Sequence, residues 1–456
     1  MRGSLAQLVK AIPGARLVGP DASFEGVSTD SRKVDAGALF VALVGETFDA
    51  HDFLDQVVAR DVAAVVVSRL PKGWTLPAIV VPDTLVGLGR IAHAWREQFQ
   101  IPVIGVTGSN GKTTVKEMIA SILAAAVGED ARLATQGNLN NEIGVPLTLF
   151  RLDAQHRAAV VELGMNHPGE IGRLSAIAAP TVGLVNNAQR EHQEFMHTVE
   201  AVARENGSVL EALSNDGVAV FPGDDTYTDL WRGLARCKVM TFGLSDACDV
   251  RASHTTNGFG SDLHVMAPGA QFHIKLAAAG EHNVRNALAA VACALGAGVD
   301  QAAIVRGLEA FAPVGGRLQR KQAAGGATVI DDTYNANPDS MRAAIDVLAA
   351  YPAPRILVVG DMGEVGAQGK EFHEEIGAYA ASRGIETVLA TGELARHLVA
   401  SGARHYEQFD ELLAALDEKL GGNTKATVLV KGSRFMKMER VVQHLTGSTT
   451  IGKGAH

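Results

Sequence analysis

At 456 residues with a formal charge of −9, the chain is long enough for about three domains and carries no basic surplus suited to nucleic acid. Anionic ligands would have to be met by local backbone and basic sites instead. Three widely spaced cysteines, Cys237, Cys248 and Cys293, are too few for a disulfide framework or a thiolate metal cage, which points to a reducing cytoplasm. The longest apolar run, Ala287 to Val299, is short and broken by glycine, so neither export nor membrane insertion is expected.

In chain order, residues 1–98 mix short β-like runs (Ala38 to Val44, Ala63 to Val67, Ala78 to Val81) with a helical stretch from Thr84 to Phe99, as in a small α/β domain. From Ile101 strand and helix alternate: strand Val103 to Val106, helix 113–127, strand Arg157 to Leu163, helix 169–178, strand Thr181 to Asn186, helix 198–213 and strand Val218 to Phe221. Alternation of this kind predicts a parallel sheet covered by helices. A β-rich stretch from Val239 to Leu276 and a helix over 282–297 complete a central domain, 99–313. Proline and paired glycines in Ala312-Pro-Val-Gly-Gly-Arg317 mark a hinge. A third domain, 314–456, restarts the alternation with strands at Thr328 to Asp331, Ile356 to Val359, Val388 to Ala390 and Val428 to Val430, and helices over 338–350 and 370–383. There is no internal repeat and no low-complexity tract. The predicted fold class is α/β in three domains: a small N-terminal one, a central parallel-sheet P-loop ATPase-like one and a C-terminal Rossmann-like one.

The segment Thr107-Gly-Ser-Asn-Gly-Lys-Thr-Thr114 joins a buried strand to a helix and has the layout of a phosphate cradle. Gly108 and Gly111 let backbone N–H groups approach an anion, with Ser109 and Asn110 between them. Lys112 would meet the β/γ-phosphates of ATP and Thr113 a Mg²⁺ ion, with Thr114 a second hydroxyl of the nucleotide-binding turn. The longer template G-x-x-x-x-G-K-[ST] would require glycine at position 106, where this chain has Val106. In a doubly wound sheet the ligand lies outside the carboxyl ends of the strands, so polar residues directly after apolar runs are candidates. Glu162 ends one run and suits Mg²⁺; His192 lies beyond another and suits a second metal or a phosphate better than a lone Mg²⁺. Asp331-Asp-Thr-Tyr-Asn-Ala-Asn337 follows a third run and could hold ribose and base edges, or form a turn and helix cap.

With these blocks the chain resembles the Mur ligases of peptidoglycan synthesis. The resemblance rests on the phosphate loop and on Thr135-Gln-Gly-Asn-Leu-Asn-Asn-Glu-Ile-Gly-Val-Pro146, Glu162-Leu-Gly-Met-Asn-His-Pro-Gly-Glu170, Gly280-Glu-His-Asn-Val-Arg-Asn286, Asp331-Asp-Thr-Tyr-Asn-Ala-Asn-Pro-Asp339, Gly360-Asp-Met-Gly-Glu364 and Lys431-Gly-Ser-Arg434. The phosphate loop is shared with folylpolyglutamate synthetases and discriminates little; the blocks from 162 and 331 are more specific. The family implies an ATP- and Mg²⁺-dependent ligase that joins D-alanyl-D-alanine to UDP-N-acetylmuramoyl-tripeptide through an acyl phosphate; a monomer is expected. It implies UDP-sugar contacts at Ser28, Asp30, Ser31 and Arg32, and peptide contacts at Asn138, Asn140 and Asn141. It further implies metal ligands at Thr113, Glu162 and His192, nucleotide contacts at Asn286, Arg317 and Asp332, and contacts to the incoming amine at Asn335, Asn337, Lys431, Ser433 and Arg434. Relatives usually carry a carbamoylated lysine in the helix after the His192 loop. This chain has Asn206 there and no lysine between Lys116 and Lys238. Glu205, or a water held by Asn206, is the expected substitute for that charge.

Overall fold

The apolar run at 103–106 forms a strand, Val103–Thr107, whose five residues are all buried. Parallel partners flank it on both sides, Ala158–Glu162 and Val182–Val185. A strand covered on both faces needs continuous rather than alternating apolar residues, which is what the sequence supplies. The computed structural model describes residues 1–257 and 259–447.

Around this strand stands a nine-stranded sheet. It runs parallel from the edge strand Arg132–Ala134 through Val218–Pro222 and Lys238–Gly243 to Val250–Asn257. It then ends in an antiparallel meander of Gly260–Ala267 and Ala270–Leu276. The sheet is therefore mixed, where alternation alone predicts a parallel one; among the described residues no helix lies between Val250–Asn257 and Ala270–Leu276, so these last strands follow one another closely in sequence and pair antiparallel. Ile104 and Val106 face helices Lys112–Val127 and Glu281–Gly296, while Val103 faces the opposite layer with helices Glu170–Ala178 and Val199–Glu211.

Two smaller sheets stand on either side in sequence. The N-terminal one has five strands within residues 16–80, parallel except for its edge strand Arg16–Val18. The C-terminal one has six, with Thr328–Asp332 paired in parallel to Thr427–Lys431 and antiparallel to the edge strand Gln319–Gln322. Helices Gly144–Leu149, Gln301–Ala310, Phe409–Leu420 and Glu439–Thr446 were not among the predicted elements. Gln301–Ala310 had a legible start, since Asp300 accepts from the Ala303 N–H. Among the described residues no helix is long and apolar enough to cross a membrane.

The N-terminal and central units share one hydrophobic core rather than meeting across a polar seam. Helix Thr84–Arg96 lies so close to Glu170–Ala178 that a Cβ on Gly89 would meet Ile177 Cδ1 at 2.8 Å. At its end Arg96 is buried and donates from Nε to Ala178 O (3.2 Å), from Nη2 to Ala179 O (3.2 Å) and from Nη1 to Phe99 O (2.6 Å). The cation thereby meets the carbonyl end of helix Glu170–Ala178, where the helix dipole favours positive charge. Replacing Arg96 by methionine keeps much of the volume and leaves these buried carbonyls unpaired, so equilibrium denaturation should show a loss of about 2–4 kcal/mol.

Candidate active site

The carboxyl ends of Val103–Thr107, Ala158–Glu162 and Val182–Val185 open into a cleft of about 910 Å³, and the C-terminal unit forms its other wall. Strand order changes direction about Val103–Thr107, the position at which doubly wound sheets form their crevice. The loop after this strand needs its glycines. Gly108 has φ +132°, and a Cβ there would meet Asn186 Cβ at 2.9 Å; Gly111 has φ +80°, and a Cβ would meet Asn286 Oδ1 at 2.6 Å. Helix Lys112–Val127 then begins without a side-chain cap among the described residues, leaving first-turn N–H groups directed toward the cleft.

Lys112 folds back over this loop. Its Nζ donates to Gly108 O (2.6 Å) and Ser109 O (3.0 Å) and meets Glu191 Oε1 at 2.7 Å. Beside it the Thr113 hydroxyl donates to Glu162 Oε1 (3.2 Å) and accepts from Arg317 Nη2 (2.9 Å), while Asn140 Nδ2 also donates to Glu162 Oε1 (2.9 Å). The second oxygen of Glu162 is buried with no partner among the described residues. A buried, unpaired carboxylate oxygen next to a hydroxyl suits one hard cation such as Mg²⁺. No group of three His, Cys, Asp or Glu among the described residues is arranged as a metal cage.

The C-terminal unit reaches into the same cleft. Asn337 donates from Nδ2 to Asn110 Oδ1 (2.9 Å) while its own Oδ1 caps helix Pro338–Ala349 at the Ser340 N–H (2.8 Å). The helix-cap reading of this residue is thus met, and the same side chain lines the cleft. Asp332 accepts from the Leu318 N–H (3.1 Å) and pairs with buried Lys431 at 2.6 Å; Lys431 also donates to Asn335 O (2.9 Å). Arg317 lies over the Tyr334 ring, 4.3 Å from its centroid. Asn286 accepts from Asn186 Nδ2 (2.9 Å) beside the phosphate loop. Thr114, Asn138, Asn141 and Arg434 also line the cleft. Ser433 is buried just behind it, donating to Ala336 O (3.2 Å).

Ser28, Asp30, Ser31 and Arg32 do not line this cleft. They form a turn after strand Val27–Ser28 of the N-terminal unit, where Asp30 and Arg32 pair at 2.9 Å. His192 is in the cleft, but its ring faces carboxylates: Nε2 is 3.3 Å from Glu191 Oε1 and Nδ1 is 2.6 Å from Glu364 Oε2. Glu191 and its neighbour Arg190 were missed by sequence reasoning. The rule that selected His192, polar residues just after a strand, would have selected them too.

Three Mur ligase family models match successive parts of the chain: the Mur ligase family catalytic domain at residues 23–96, the middle domain at 106–294 and the glutamate ligase domain at 316–434. The chain is 40% identical over 449 residues to the UDP-N-acetylmuramoyl-tripeptide–D-alanyl-D-alanine ligase of Haemophilus influenzae, covering 97% of each. The Escherichia coli ligase of that name is 40% identical over 453 residues, 98% of this chain and 99% of the relative. The chain belongs to the Mur ligase family. Its fold superimposes on a crystal structure of MurF from Acinetobacter baumannii with TM-score 0.92 at 36% identity, covering 98% of this chain and 99% of the other. MurF ligase from Thermotoga maritima in complex with ADP gives TM-score 0.84 at 26% identity, over 93% and 97%.

One expectation for this Mur ligase is corrected. Glu205 does not supply charge at the phosphate loop, because Oε2 accepts from the Gly169 N–H (2.8 Å) and Oε1 from the Ile171 N–H (2.9 Å). It caps helix Glu170–Ala178 instead, since the turn of helix Val199–Glu211 directs positions 205 and 206 to different neighbours. Asn206 is fully buried and accepts from the Thr107 hydroxyl at 2.7 Å, directly under the loop.

Burial alone would lower the His192 pKa, but Glu191 and Glu364 outweigh it and raise the value from 6.5 to about 9. Burial would likewise raise Glu191, yet Lys112 and His192 hold it below the usual carboxylate value. His192 is therefore an imidazolium at neutral pH. A raised pKa gives stability that is fully present below the unfolded value near 6.5 and lost as pH rises through about 9. Compared with His192→Gln by denaturant unfolding, the native protein should lead by about 1–3 kcal/mol at low pH, and that lead should vanish by about pH 10.

Proposed function

We propose that this Mur ligase joins D-alanyl-D-alanine to UDP-N-acetylmuramoyl-tripeptide with hydrolysis of ATP to ADP and phosphate, as a step of cytoplasmic peptidoglycan precursor synthesis. The observation that carries the reading is the meeting of two units on one phosphate loop: Lys112, Thr113 and Asn110 from the central unit with Arg317 and Asn337 from the C-terminal one. The near full-length likeness to ligases of that name supports the choice of substrates.

A carboxylate is a poor electrophile at neutral pH. Its oxygen therefore attacks the γ-phosphorus of ATP, ADP leaves, and the resulting acyl phosphate is attacked at carbon by the dipeptide amine, releasing phosphate. Both steps gather negative charge at one place, so fixed positive groups are the main source of rate. Lys112 and the N-terminus of helix Lys112–Val127 meet that charge, with Lys112 exchanging Glu191 for phosphate oxygens. Mg²⁺, which Thr113 and Glu162 would hold, neutralises phosphate charge when bound. His192 could act as a further ligand only after giving up its proton and its two carboxylates.

In this reading Asn286, Arg317 and Asp332 hold the nucleotide, and Asn138, Asn140 and Asn141 face the peptide. Asn335, Asn337, Lys431 and Arg434 serve the incoming dipeptide, with Ser433 behind them holding Ala336 and Gly363 in place. The units 1–98, 99–313 and 314–456 then take UDP-sugar, ATP and amine, with Ser28, Asp30, Ser31 and Arg32 serving the first. Closure of the cleft positions the reactants and excludes water that would hydrolyse the acyl phosphate.

Phosphate release should require ATP, the UDP-tripeptide and D-alanyl-D-alanine together; release that is independent of the dipeptide would overturn the assignment. Lys112→Ala should lower kcat by about 10²-fold or more while the native circular dichroism spectrum is kept, because the helix and the loop glycines remain. With Asn206 at the position of the relatives' carbamoylated lysine, turnover should change by less than about twofold when bicarbonate is added, since asparagine forms no carbamate.

A further inference from the structure

Arg190 leaves the central unit and is held by the C-terminal one. Its backbone N–H donates to Asp339 Oδ2 at 2.8 Å, and its guanidinium donates to Asp339 Oδ1 (2.7 Å), Glu375 Oε2 (2.6 Å) and Glu375 Oε1 (3.1 Å). The same guanidinium lies over Phe372, 5.4 Å from the ring centroid. Asp339 is in the first turn of helix Pro338–Ala349, where the helix dipole favours a carboxylate; Glu375 is on helix Gly369–Ser382 and is shared with Arg342 at 3.0 Å. An isolated surface ion pair is worth little, but a planar fork held by two carboxylates, one of which also accepts from the Arg190 backbone N–H, fixes geometry.

The neighbours of Arg190 give that geometry a consequence. Gln189 accepts from Asn110 Nδ2 at 2.6 Å, Glu191 meets Lys112 at 2.7 Å, and His192 meets Glu364 of the C-terminal unit at 2.6 Å. Residues 189–192 thus touch the phosphate loop and the C-terminal unit in turn. Because the Arg190 backbone itself is bound, docking of the C-terminal unit constrains the path of this loop and not merely one side chain. Burial would lower the Arg190 pKa, but Glu375 and Asp339 outweigh it and raise it, so the cation persists at every working pH.

We propose that Arg190 is a positioning residue for the ligation: clasped by Asp339 and Glu375, it sets the 189–192 loop so that Glu191 and His192 stand beside Lys112 only when the C-terminal unit is docked. The proposal rests on the ligase reading above for its effect on turnover, and on geometry alone for its effect on docking. Removing the clasp should leave the phosphate loop able to bind nucleotide and slow the step that needs both units.

Three variants test it: Arg190→Met, Arg190→Lys and, from the other side of the clasp, Glu375→Gln. Arg190→Met should lower kcat by about 30-fold or more while KM for ATP and ADP affinity by calorimetry stay within about threefold. Arg190→Lys, which keeps the charge but not the fork, should recover at least about fivefold of the loss, and Glu375→Gln should fall between the two. Small-angle scattering with a non-hydrolysable ATP analogue should show less compaction for Arg190→Met than for the native protein. Native kcat and native compaction in Arg190→Met would overturn the proposal, as would a parallel loss of ADP affinity, which would mark a structural role. If the native protein itself shows no dipeptide-dependent turnover, the ligase reading fails, and scattering and calorimetry still decide the role of Arg190.

Discussion

Everything in this molecule is arranged around a helix that begins with its backbone uncovered. Helix Lys112–Val127 is fed by a fully buried strand of the sheet through a turn that only glycine fits, at Gly108 and Gly111. Unpaired N–H groups at a helix start carry a partial positive charge and require an acceptor. Placing them at the crevice of a doubly wound sheet makes an anion site out of backbone alone, which explains how a chain of net charge −9 can receive a nucleotide.

The side chains added to that backbone site come from all along the chain and answer one another's charge. Lys112 meets Glu191, Lys431 meets Asp332, and His192 lies between Glu191 and Glu364. Burial makes each of these charges expensive alone and tolerable in combination. The second oxygens of Glu162 and Glu191 are exceptions, each buried with no hydrogen-bond partner among the described residues, and that of Glu162, beside the Thr113 hydroxyl, would suit a cation. Few of these contacts are strong by themselves. Their value lies in joining units that are otherwise separate sheets, through Arg317 to Thr113, Asn337 to Asn110 and Arg190 to Asp339 and Glu375.

The two junctions between units differ in kind. The N-terminal unit is joined to the central one by a continuous apolar core and by Arg96 on the carbonyl end of a helix. The C-terminal unit adds the smaller apolar contact of Ala279 and of Phe259 with Tyr351, and meets the cleft through hydrogen bonds and ion pairs, which water and nucleotide can replace at small net cost. A polar junction suits a part that must dock and release, whereas an apolar one suits a part that stays.

By itself the sequence determined what is local. Continuous apolar runs specified the buried parallel strands, the 3.6-residue period specified helices such as Lys112–Val127 and Glu281–Gly296 but not Phe409–Leu420, and glycine, lysine and hydroxyls in one octapeptide specified the phosphate loop. Positions such as Glu162 and Asp332 were legible because a strand's carboxyl end is a known place in a doubly wound sheet. The short helices at 144–149 and 439–446 escaped because few residues leave little periodicity to read. Tertiary structure alone decided partners. Glu205 and Asn206 are adjacent in sequence, yet one caps a neighbouring helix and the other lies under the phosphate loop. Arg190 finds its carboxylates in another unit, 149 and 185 residues away. A side chain's partner depends on which distant segment folding brings to it, and local pattern carries no record of that distance.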